Sequence, residues 1–154
     1  MICIIRIVCK DDWEISPLSG TVASTFYFLV DDHVFPESDC LEYSDFPIDN
    51  LEAWIDTWIG VLRKAQKGYY FEKSFFFYDG PYSLIVKQKE KMEIEITFFD
   101  DETEVIKTTS NCLEFSKVLL QAAGKVKIIA KEKAVKIDVL NKLMILLKQE
   151  MKNL

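Results

Sequence analysis

The spacing of hydrophobic positions changes three times along the chain, and each change marks a change of element. Residues 2–9 are rich in Ile and Val with partial alternation. A second β-branched and aromatic run, Thr21–Val30, follows the breaker Ser16-Pro17-Leu18-Ser19-Gly20. Two strands joined by a loop are the reading, with shorter extended pieces at His33–Phe35 and Cys40–Tyr43 before Pro47 stops the pattern. From Asp49 the period becomes helical. Leu51, Trp54, Ile55, Trp58, Val61, Leu62 and Ala65 share one face, Asp49 and Glu52 supply an N-terminal cap and its partner, and Gly68 supplies the stop. This predicts an amphipathic helix over about 49–67.

Alternation then returns. The aromatic run Tyr69–Tyr78 suits a pleated surface, and Asp79-Gly80-Pro81 turns the chain. Tyr82–Lys87, Met92–Phe98 and Val105–Thr109 complete a meander over 69–109. Folding back about Glu90 sets Leu84 and Val86 opposite Ile96 and Ile94, and Lys87 opposite Glu93. The last change comes at Asn111, which with Glu114 repeats the cap signature ahead of Phe115, Leu119, Ala122, Val126 and Ile129. One helix over about 112–132 fits that spacing. A competing reading breaks it at Gly124 and makes Lys125–Ala130 a strand. Val139, Leu140, Leu143, Leu147 and Met151 mark a further helix. The fold class is α+β: a mainly antiparallel sheet of about six strands, one central helix, and one or two C-terminal helices, in a single domain over 1–154.

Composition adds a class and removes several. With 154 residues, 49% of them hydrophobic and 13% aromatic, the chain can build a full core. Cys3, Cys9, Cys40 and Cys112 are too widely spaced for a Cys-x-x-Cys metal site and are read as reduced core thiols. Arg6 interrupts the first apolar run where a signal peptide needs an unbroken stretch, and no apolar segment reaches the length of a membrane span. A cytoplasmic protein without a membrane partner is expected. Gly20, Gly60, Gly68, Gly80 and Gly124 are scattered, so no phosphate-cradling loop is formed and no cofactor is expected.

Charge is the feature above background. Residues 1–60 hold 12 acidic and 2 basic side chains, net −10; residues 61–110 hold 9 and 8; residues 111–154 hold 4 and 9, net +5. The acids cluster from Asp31 to Asp56. Asp31, Asp32, Glu37, Asp39, Glu42 and Asp45 are interleaved with Phe35, Tyr43 and Phe46. Carboxylates speed encounter with a cationic protein and aromatics anchor it, so Asp31, Asp32, Glu37, Asp39, Glu42, Tyr43, Asp45 and Phe46 form the candidate partner-binding surface. The alternative is a solvated acidic face that keeps the protein soluble. Nucleic acid is disfavoured at net −6.

Catalytic chemistry has one histidine to work with. His33, beside Asp31 and Asp32, could tune a base or ligate a metal, but adjacent strand residues point to opposite faces. An enzyme using His33 and scattered carboxylates for a small molecule or metal is the alternative to a binding domain. It requires those groups to converge in one pocket. A homodimer sealed through Tyr69–Tyr78 is a third reading.

The order of elements, with an acidic segment, the helix Ile48–Ile59, an aromatic meander and then Asn111–Leu120, resembles small bacterial immunity proteins of polymorphic-toxin systems and uncharacterised proteins of similar build. The likeness covers most of the chain in general form and has no diagnostic motif. It implies a compact, acidic, non-enzymatic α+β domain that plugs the active site of a basic toxin, and it assigns no residue a role.

Overall fold

A computed structural model describes residues 4–9, 14–15, 22–36, 45–76 and 81–133, with 144, 145, 148, 149 and 152 near the C-terminus; at 9, 14–15, 22–26 and 45–55 it describes the backbone alone. The described residues are α+β, with two antiparallel sheets and two long helices. The elements are β1 (Ile5–Cys9), β2 (Glu14–Ile15), β3 (Val22–Val30), β4 (His33–Phe35), β5 (Asp45–Pro47), α1 (Ile48–Lys67), β6 (Glu72–Phe76), β7 (Tyr82–Glu90), β8 (Glu93–Asp100), β9 (Thr103–Asn111) and α2 (Cys112–Glu132). The strand expected at Cys40–Tyr43 falls outside the described residues, except that β5 begins just after it.

The first sheet is organised around β3. Phe28 is flanked by Ile7 of β1 and Phe35 of β4, while Ala23 is flanked by Glu14 of β2 and Pro47 of β5. Alternation decides which side chains it buries: Phe28 and Val30 are buried, Tyr27 and Leu29 only partly. The expected mainly antiparallel strands divide, among the described residues, into two sheets. Short partners are spent on one long strand, and the second sheet is a separate meander in the order β6-β7-β8-β9.

Within that meander the register differs from expectation by two residues. Val86 faces Ile96, Leu84 faces Phe98, and Lys87 lies across from Glu95, not Glu93. The cause is the turn. Met92 takes a left-handed backbone (φ 71°), and a bulge between Gln88 and Glu90 sets Glu90 against Glu93. A two-residue slip keeps every side chain on its expected face, so Leu84, Val86, Ile94, Ile96 and Phe98 are all buried.

Both helices are fixed at their ends by backbone geometry. α1 begins at Ile48, one residue before the expected cap, directly after Pro47. It ends in a Schellman motif: Gly68 (φ 73°) donates its N–H to the Ala65 carbonyl at 3.2 Å, and Tyr69 donates to Lys64 at 3.1 Å. Met92 then joins the two helices through the β7–β8 turn. Its N–H donates to Ala65 at 3.1 Å, and its carbonyl accepts from the Cys112 N–H at 2.9 Å. At the start of α2 the Asn111 side chain accepts from the Leu113 N–H at 2.8 Å, as its cap role requires. Glu114 is engaged by Lys117 at 3.3 Å.

α2 runs without a break through Gly124. A glycine costs about 1 kcal/mol in a helix, whereas burying one large aliphatic side chain is worth about 1.5–3 kcal/mol. Phe115, Leu119, Ala122, Ala123, Val126, Ile129 and Ala130 are all buried on both sides of it. Met144, Ile145, Lys148, Gln149 and Lys152 are helical, in the region of the expected last helix.

Aromatic contacts tie the layers together. Trp58 of α1 is fully buried, stacked on Phe75 of β6 at 4.4 Å and tilted against Phe115 of α2 at 4.3 Å. Phe98 of β8 meets Phe28 of β3 at 5.2 Å and Phe35 of β4 at 5.0 Å, and Phe35 also meets Tyr82 of β7 edge-on at 5.5 Å. These four rings are where the two sheets meet. Phe35, expected among the interleaved surface aromatics, is 1% exposed and belongs to this core.

Candidate partner-binding surface

The acidic stretch begins on a hairpin turn. Asp31 and Asp32 link β3 to β4, and Asp31 adopts a left-handed backbone (φ 53°), which short polar side chains tolerate. Asp31 also holds the neighbouring strand's entry. Its N–H donates to the Ile4 carbonyl at 2.8 Å, and its Oδ1 accepts from the Ile4 N–H at 3.0 Å. One of the eight candidate residues thus has a structural task that charge counting does not reveal. Asp32 is exposed beside it.

The far end of the stretch is β5, where Asp45 pairs with Thr25 and Phe46 with Ser24. Three positions of β3 separate Phe28, the partner of Phe35, from Thr25, the partner of Asp45, whereas ten separate Phe35 from Asp45 in sequence. The segment bearing Glu37, Asp39, Glu42 and Tyr43 therefore has both ends tied to one strand. Those four residues lie outside the described residues, as do the side chains of Asp45 and Phe46.

His33 opens β4 and is exposed. Among the described residues, no group of three or more His, Cys, Asp or Glu is placed to hold a metal ion. Cys112 is free and fully buried at the first position of α2. Burial pushes its thiol up to about 11, partly offset by a backbone hydrogen bond, so it is a protonated core group at neutral pH. Among the described residues, no helix is long and apolar enough to cross a membrane.

Away from the acidic stretch, Tyr69, Tyr70 and Phe76 are 62%, 76% and 70% exposed, while Phe71 and Phe75 between them are buried. Strict alternation over Tyr69–Tyr78 does not hold, because Tyr69 and Tyr70 belong to the exit from α1 and β6 starts only at Glu72. The signal that locates this departure is Gly68: the residues after a left-handed helix stop need not yet lie in the pleat.

Comparison of the chain with protein-family models, with curated proteins and with solved structures finds no match in any of the three.

Proposed function

We propose that the chain is a non-enzymatic protein-binding domain of the cytoplasm that offers the Asp31–Asp56 region to a basic protein. Immunity to a cationic toxin is its most concrete form. The observation that carries the reading is the net −10 of residues 1–60, with Glu37, Asp39 and Glu42 in a segment whose two ends, Phe35 and Asp45, are held on β3. Anchoring both ends limits the conformational entropy lost when such a segment meets a partner. Its charge raises the rate of encounter with a cationic surface. Asp32 on its exposed turn and Asp56 on the exposed side of α1 extend the same sign of charge beyond the segment.

The test is recovery of partners from the native host at about 0.1 M and about 1 M salt, across which the screening length falls from about 10 Å to about 3 Å. A basic protein retained at the lower salt and released at the higher is the expected result. Recovery of no partner that salt weakens would overturn the proposal.

A further inference from the structure

We draw no further inference here: the strongest candidate, the outer edge of the four-stranded sheet at β6, where Tyr70 and Phe76 stand exposed, carries none because nothing in the structure shows what covers it.

Discussion

In the four-stranded sheet, Glu72, Glu93 and Glu104 sit 3.6, 3.8 and 3.4 Å from Lys87, Lys89 and Lys107, so much of its acid is matched by base within the same sheet. Across residues 61–110 the count is 9 acids to 8 bases. Residues 1–60 carry 12 acids and 2 bases, and one of those acids, Asp31, accepts a hydrogen bond from the Ile4 N–H. The two regions also differ in construction. The meander runs in sequence order with its β7–β8 turn bonded to both helices, whereas the first sheet hangs four partners on β3. On the proposed function, the balanced charge of the meander and the acidic excess of the N-terminal sequence assign stability and encounter to different parts of the chain.

The largest effect is expected at the joint between the two regions. Phe98 is fully buried and touches both Phe28 and Phe35. Phe98→Ala should cost about 3–5 kcal/mol in denaturant unfolding, with both sheets lost in one transition. Two separate transitions would show that the halves do not share a core.

A smaller effect is expected at Gly68. A Cβ there would meet Gln88 and Lys91 side-chain atoms only at 3.9 Å, so space is not limiting, and the penalty is the left-handed backbone alone. Gly68→Ala should destabilise by about 1–2 kcal/mol. An unchanged midpoint would contradict the assignment of this residue as the helix stop that seats α1 on the meander.

Smallest of all is removal of a meander ion pair. Lys87 and Glu72 are each about half exposed at 3.6 Å, so Glu72→Gln should change stability by less than about 1 kcal/mol. A larger loss would mean that the sheet's balanced charges hold the fold, and the separation of roles would fail.

Much of the fold was legible because hydrophobic period is a local signal. The buried face of α2 and the buried alternation of β8 follow from the spacing of Phe115, Leu119 and Val126 and of Ile94, Ile96 and Phe98. What was not legible depends on backbone conformations that residue type alone does not specify. Met92 and Asp101 are left-handed without being glycine, and the turn at Met92 moved the β7–β8 register by two. The division into two sheets was hidden because β3 pairs with four segments spread over residues 5–47, a matter of topology with no local signature. For the candidate surface, charge showed where to look. It did not separate Asp31, tied to Ile4, from Asp32, nor the core ring Phe35 from a surface anchor, since both distinctions arise from tertiary contacts.

Charge-steered arrival of the proposed partner is tested most directly by association kinetics. Asp39→Asn, Glu42→Gln and Asp45→Asn combined remove three of the charges behind the net −10. Measured against the captured basic partner at low salt, the triple variant should associate roughly 10-fold more slowly, with a dissociation rate nearly unchanged and a weaker salt dependence. An unchanged association rate, with any loss of affinity appearing only in dissociation, would contradict the account.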